Sequence, residues 1–285
     1  MDFTWQDLVD YLLALSGAMP EEHSGVYLLY EEDNCLIEKL WSGSETLEQV
    51  FIAEDVRTDT PALYLLDENT RLVFYVDTEN ILKCSRYNTD EEEWQVEEGN
   101  RDFVIPQDSK LSGCFTDEGQ IVFFQNQYGL LQGIKIQDST WDLLSPVPAK
   151  PLEATRHSVI RPADDNLYLF YIGQDRYIHY LAQHLETGKW HDNVLKSPTL
   201  DRTIINFMVI PDEEENFEAH LLTTDNLMGI DKQGERISFG KVVEGKFTPI
   251  SGKECIIESI RLVKKGVKAI AGKVLKDKKR GGQKT

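Results

Sequence analysis

The stretch Val26-Tyr-Leu-Leu-Tyr-Glu-Glu-Asp-Asn34 joins a run of apolar and aromatic residues to a short acidic turn. The same pairing returns as Val73-Phe-Tyr-Val-Asp-Thr-Glu-Asn80 and as Val122-Phe-Phe-Gln-Asn-Gln-Tyr-Gly129. It occurs again as Tyr168-Leu-Phe-Tyr-Ile-Gly-Gln-Asp-Arg176 and as Glu218-Ala-His-Leu-Leu-Thr-Thr-Asp-Asn226, with a fainter copy starting at Val267. The starts at 26, 73, 122, 168, 218 and 267 are separated by 47, 49, 46, 50 and 49 residues. A fixed period of this size marks a repeat architecture, in which each unit is one supersecondary element that buries its faces against its neighbours.

Each unit holds more than one strand. An apolar segment ending in an acidic turn precedes the central run: Leu63-Tyr-Leu-Leu-Asp67, Gly113-Cys-Phe-Thr-Asp117, Val159-Ile-Arg-Pro-Ala-Asp164 and Phe207-Met-Val-Ile-Pro-Asp212. A third strand follows, as in Ile81-Leu-Lys-Cys84, Leu130-Leu-Gln-Gly-Ile134 and Ile178-His-Tyr-Leu181, and a fourth often carries tryptophan, at Trp94, Trp141 and Trp190. Short β-branched and aromatic runs bounded by Asp, Asn and Gly are hairpin signals, because those residues accept the left-handed backbone of a tight turn. Four strands in 40 to 50 residues describe the blade of a β-propeller. The fold class expected is therefore all-β, a six-bladed propeller of four-stranded antiparallel blades in a single domain over residues 1–275, with a basic tail at 276–285. Phe3-Thr-Trp5-Gln-Asp-Leu8 resembles the tryptophan-bearing fourth strand and precedes the first strand of the first complete unit, at 12–16. It is expected to complete a last blade begun near Cys255 and Val267, which removes exposed edges. Five blades followed by a basic C-terminal extension is the alternative.

Composition excludes several functions. The 285 residues carry 30 Lys+Arg against 49 Asp+Glu, a formal net charge of −19, which opposes approach to nucleic-acid phosphate. Residues 261–285 hold ten basic residues and one acid (+9), so residues 1–260 hold 20 against 48 (−28). No run of 18 apolar residues indicates a membrane-spanning helix, and Asp2, Asp7 and Asp10 stand where a secretory leader carries positive charge. The expected location is the cytoplasm. Cys35, Cys84, Cys114 and Cys255 show neither metal-binding nor disulfide-scaffold spacing and read as ordinary thiols.

The repeat length, the acidic turn and the later tryptophan strand together resemble the fungal fucose-specific lectins of the orange-peel mushroom type, six-bladed propellers that bind sugars between blades. The resemblance implies a sugar held by an Arg near the start of the second strand, a Glu on the third and an aromatic platform. Aligned by strand pattern, the Arg positions hold Val26, Leu72, Ile121 and Tyr168, and the Glu positions hold Glu38, Lys83, Gln132 and Tyr180. Glu38 alone matches, without an Arg partner in this alignment. The chain is also similar to fungal hetero-Diels-Alderases of tropolone sesquiterpenoid pathways, propellers that have lost sugar binding. That second resemblance implies a cofactor-independent cyclase that guides two reactive partners.

No GxSxG, HExxH, GxGxxG or P-loop motif occurs, so no cofactor is expected. His179, His184 and His191 fall on a strand, in a turn and beside Trp190, a poor set for one metal ion, and no metal site is expected. Inner strands line a propeller's channel, where a few polar groups among apolar walls form a ligand pocket. His157, Arg156 and Tyr64 are the candidate catalytic residues, since hydrogen bonds to a developing charge lower a barrier. Cys114, Asn206, Arg161 and Glu258 are the candidate substrate contacts. The leading expectation is a cyclase of the Diels-Alderase type acting on a small hydrophobic polyketide or terpenoid. The alternatives are a lectin with altered sugar sites and a propeller scaffold for other proteins. The expected partner is a small molecule, with no nucleic acid and no membrane span; self-association is left open. Trp94, Trp141 and Trp190 are read as packing between blades.

Overall fold

A computed structural model describes residues 26–249, apart from 42–45, 59–61, 68–69, 162–165, 185–186, 196–199, 201–203, 212–216, 224–225, 231–233 and 244–245. The strands expected around Trp5, at 12–16 and at Cys255, the copy at Val267, Glu258 and the basic tail lie outside the described residues.

Twenty strands and no helix make up the described chain. The first sheet contains β1 (Val26–Glu32), β2 (Cys35–Trp41) and β3 (Thr46–Ala53). The second runs β4 (Leu63–Asp67), β5 (Thr70–Val76), β6 (Leu82–Asn88) and β7 (Glu93–Glu97), and the third β8 (Ser112–Thr116), β9 (Gly119–Gln125), β10 (Leu131–Gln137) and β11 (Thr140–Leu143). The fourth runs β12 (His157–Ile160), β13 (Asn166–Ile172), β14 (Ile178–His184) and β15 (Trp190–Val194). The fifth runs β16 (Ile204–Pro211), β17 (Phe217–Thr223), β18 (Asn226–Ile230), β19 (Arg236–Val243) and β20 (Lys246–Pro249). Within each sheet, sequence neighbours are spatial neighbours and antiparallel, the meander of a propeller blade. Five blades stand among the described residues, which agrees with the five-blade alternative. The fifth sheet differs from the repeat: β20 pairs with β19 and makes a fifth strand where four are expected.

Second strands are buried on both faces, and this is why they read as unbroken apolar runs. Leu72, Val73, Phe74, Tyr75 and Val76 are all buried along β5, and Leu169 to Ile172 along β13. Outer strands face solvent, as in β7, where Glu93, Gln95 and Val96 are exposed.

The turn between second and third strands fixes the register. Asn34, Asn80, Gly129 and Arg176 take the left-handed backbone there, with φ of 62, 69, 73 and 65°. In three of these units a later apolar residue donates its N–H back to this residue's carbonyl: Val56 to Asn34 (2.8 Å), Ile105 to Asn80 (2.8 Å) and Leu200 to Arg176 (2.9 Å). The acidic residue ahead of the turn has a geometric role. The Asp77 carboxylate accepts the N–H groups of Glu79 and Ile81, and the Asn126 side-chain oxygen accepts those of Tyr128 and Leu130.

Two compact units divide the described residues, one ending at His157 and one starting at Ser158. In the first, Leu36, Ile52, Val56, Val73 and Tyr75 fill the seam between sheets one and two. Phe74, Val76, Cys84, Val122, Phe124, Ile134 and Trp141 fill that between two and three. Phe170, Ile172, Phe207, Leu221 and Ile230 form the core of the second unit.

Candidate functional site

Counting from the left-handed turn residue gives the equivalent positions in each blade. Four residues past it lie Glu38, Cys84, Gly133 and Tyr180. Six residues before the start of each turn lie Val26, Arg71, Gln120 and Leu167. Counted from the start of the turn, Arg71 stands one residue before Leu72, and counted from the left-handed residue, Cys84 stands one after Lys83. A slip of one residue exchanges the two faces of a strand. Arg71 belongs to β5 of the second sheet and Glu38 to β2 of the first.

These two residues meet. Glu38 is only 2% exposed and its two carboxylate oxygens are divided between two donors. Oε2 accepts from Arg71 Nη2, and Oε1 accepts from the Tyr64 hydroxyl. Arg71 Nε also donates to the Tyr64 oxygen at 3.0 Å, so the three side chains close a ring of hydrogen bonds between sheets one and two. Aromatic rings wall it. The guanidinium carbon of Arg71 lies 3.7 Å from the Tyr87 ring centre, 4.4 Å from Tyr27 and 5.3 Å from Trp94. Tyr27 stacks on Tyr64 with 7° between planes, and Trp94 stands edge-on to Tyr64 at 6.0 Å. Ladder pairing places them: Leu72 pairs with Arg86, which sets Arg71 beside Tyr87, and Tyr87 pairs with Trp94.

Electrostatics lock the cluster in one protonation state. Burial, reinforced by the Glu38 carboxylate, pushes the Tyr64 phenol well above its usual value, so it stays a donor. Burial alone would lower Arg71, but Tyr64 and Glu38 outweigh it and hold the guanidinium charged. Burial likewise raises the Tyr27 phenol. Several donors are left over. Arg71 Nη1 and the hydroxyls of Tyr27 and Tyr87 make no hydrogen bond among the described residues. The Trp94 indole N–H is buried without a partner among them. A guanidinium, phenols and aromatic faces at one seam can bind a polyhydroxylated ring.

The structure joins one residue of the sequence-derived catalytic set, Tyr64, to this cluster. His157, at the start of β12, is enclosed: Ser112 Oγ lies 2.5 Å from Nδ1, and the carbonyl of Lys110 lies 3.0 Å from Nε2. The carbonyl can only accept, so Nε2 carries the proton and Nδ1 accepts from Ser112. Burial lowers the His157 pKa to about 4, which keeps the ring neutral. Arg156 is half-buried, and burial lowers its pKa. Cys114 is half-buried in the middle of β8 and forms no disulfide among the described residues. Arg161 and Asn206 belong to the second unit, where the Asn206 side-chain oxygen accepts the N–H of Phe207 at 2.9 Å. Glu258 lies outside the described residues.

Sequence reasoning singled out Glu38 and missed Arg71, Tyr27 and Tyr87. Trp94, read as blade packing, is part of the site, whereas Trp141 is packing, 3% exposed and stacked on Phe103. His179 bonds Asp175 at 3.0 Å, and no group of three metal-ligating side chains occurs among the described residues. No helix among these residues is long and apolar enough to cross a membrane.

The chain is similar to solved structures, two of the three below described as lectins. AofleA from Arthrobotrys oligospora superposes with a TM-score of 0.60 at 14% identity, over 85% of this chain and 73% of that one. The SapL1 lectin, solved with alpha-methyl fucoside, gives 0.60 at 13% identity over 82% and 85%. The Aleuria aurantia lectin, described as a six-bladed β-propeller with a novel fucose recognition mode, gives 0.57 at 12% identity over 80% and 76%. These likenesses show the fold, a β-propeller. No protein-family model and no curated protein matches the chain by sequence.

Proposed function

We propose that this chain is a saccharide-binding propeller whose site is the seam holding Glu38, Arg71, Tyr64, Tyr27, Tyr87 and Trp94. The carrying observation is the buried carboxylate–guanidinium pair walled by aromatic rings between two neighbouring blades. Charge-assisted hydrogen bonds orient hydroxyls, and aromatic faces cover the apolar side of a sugar ring. The likeness of the fold to propellers solved as fucose-binding lectins supports the reading. The test is a glycan array with purified chain, repeated with Arg71→Met. Saccharide binding that disappears in a variant with native circular dichroism supports it; a wild-type chain that binds no saccharide sinks it.

A second reading, a cofactor-independent cyclase, would take Arg71 Nη1 as the hydrogen-bond donor to a substrate carbonyl, since the Tyr64 proton already goes to Glu38. It draws less from the geometry, because both ring nitrogens of His157 are already engaged. Turnover of a polyene with a quinone methide, abolished by Arg71→Met, is the outcome that would favour it.

A further inference from the structure

The six side chains at the seam lie at two depths. Glu38 is 2% exposed and Tyr64 7%, whereas Arg71 is 17% exposed and Tyr27, Tyr87 and Trp94 are half-buried. The Glu38 carboxylate keeps lone pairs beyond the two bonds it accepts, but an enclosed group does not present them to a sugar. A saccharide arriving from solvent meets the guanidinium and the aromatic rings.

The work of the deeper layer follows from the Tyr64 hydroxyl. Burial and the Glu38 carboxylate keep the phenol protonated, and its proton goes to Glu38 Oε1. Its oxygen accepts from Arg71 Nε at 3.0 Å, while Glu38 Oε2 accepts from Arg71 Nη2. Bonds to two nitrogens of a planar, rigid guanidinium fix its plane as well as its position. The surrounding rings attract the cation without the angular demand of a hydrogen bond, so they alone leave it free to turn. Tyr64 is itself held, stacked by Tyr27 and met edge-on by Trp94.

Resting on the saccharide reading above, we infer that Tyr64 is a positioning residue: backed by Glu38, its hydroxyl sets the orientation in which Arg71 is offered to a sugar that Tyr64 does not touch. An arginine held in advance spares the ligand the cost of ordering a long side chain on binding.

The experiment combines titration calorimetry with NMR of the arginine Nε–H groups, in the full chain and in Tyr64→Phe. The probes are the methyl glycoside of the sugar bound most tightly on the glycan array and its monodeoxy analogues. Tyr64→Phe should weaken the parent glycoside about three- to tenfold, as expected when one side chain must be ordered on binding. Every analogue should weaken by the same factor, because changes to groups that do not touch are additive. The Arg71 Nε–H resonance should shift and exchange faster with water. That of Arg101, which donates to the Trp141 carbonyl at 3.1 Å, should stay unchanged, a selectivity that general loosening of the fold does not produce. Glu38→Gln, which removes the charge but keeps the shape, should shift the Arg71 resonance and weaken the same probes. Unchanged or tighter binding by Tyr64→Phe overturns the inference while the saccharide reading stands. So does one analogue that cancels the loss, since it would mark a direct contact between Tyr64 and the missing hydroxyl. An Arg71 resonance that does not move overturns the positioning role. A blank array sinks the saccharide reading, and this inference with it.

Discussion

Two seams of the same unit occupy equivalent places and are built from different materials. Between sheets one and two, an apolar core of Leu36, Ile52, Val56 and Val73 is joined by Glu38 and Arg71, which add buried hydrogen bonds walled by aromatic rings. Between sheets two and three, the corresponding positions hold Cys84 and Gln120, and the space fills with Phe74, Val122, Ile134 and Trp141. Trp141 lies so flat against Gly99 that a Cβ there would come within 2.7 Å of its ring. Blade geometry fixes the shape of a seam, and the residues four after the turn and six before it decide whether it packs dry or presents chemistry.

The two materials should fail differently. Phe74→Ala in the dry seam removes a fully buried ring and should destabilise the unit by about 3–5 kcal/mol in urea unfolding, with the affinity of the remaining folded protein unchanged. A loss below about 1 kcal/mol would mean that the apolar seam is not what holds these blades.

Arg71→Met in the polar seam strands the Glu38 carboxylate in an almost fully buried place and should cost about 3 kcal/mol, together with ligand binding. A doubly apolar replacement, Glu38→Leu with Arg71→Met, should restore much of that stability and none of the binding. Recovery of binding in the double variant would contradict the role given to the pair.

His157 is a polar group in the first unit whose role is structural. Its folded pKa of about 4 lies below the ordinary value of 6.5, so the unfolded chain binds the extra proton between those values. Stability from this group is complete above pH 6.5 and is lost as pH falls toward 4. The loss should approach about 3 kcal/mol, since each tenfold difference in proton affinity between the folded and unfolded chain is worth about 1.4 kcal/mol. His157→Gln should flatten that part of the stability–pH curve; an unchanged slope would contradict the enclosure seen here.

The smallest effect is expected at Arg101, an arginine beside the dry seam that also faces an aromatic ring. It lies 5.0 Å from the Phe103 ring centre and pairs with Asp142, but it is 50% exposed. Arg101→Ala should change stability by less than about 1 kcal/mol and leave saccharide binding untouched, because solvent screens an exposed pair. The contrast with Arg71→Met measures what enclosure adds to the same residue type over an aromatic face.

Much of the architecture was legible because its causes are local. Second strands such as Leu72 to Val76 announce themselves by continuous apolar runs, and turns such as Asp77 to Asn80 by residues that cap their own backbone. The fifth strand of the last described sheet carried no such signal. Tyr64 was picked out from its place on an inner strand, but its partners Glu38 and Arg71 come from two different blades, 33 residues apart. No spacing rule along the chain predicts a contact made when one sheet is laid on the next.

The sequence alone determined the period, the strand-and-turn content and the acidic character of this protein, since repetition, alternation and charge are properties of the chain itself. Tertiary structure decided that Arg71 meets Glu38, that Trp94 walls that pair while Trp141 packs a core, and that His157 is enclosed. Each of those outcomes depends on which faces meet across a seam, and a shift of one residue in register is enough to reverse it.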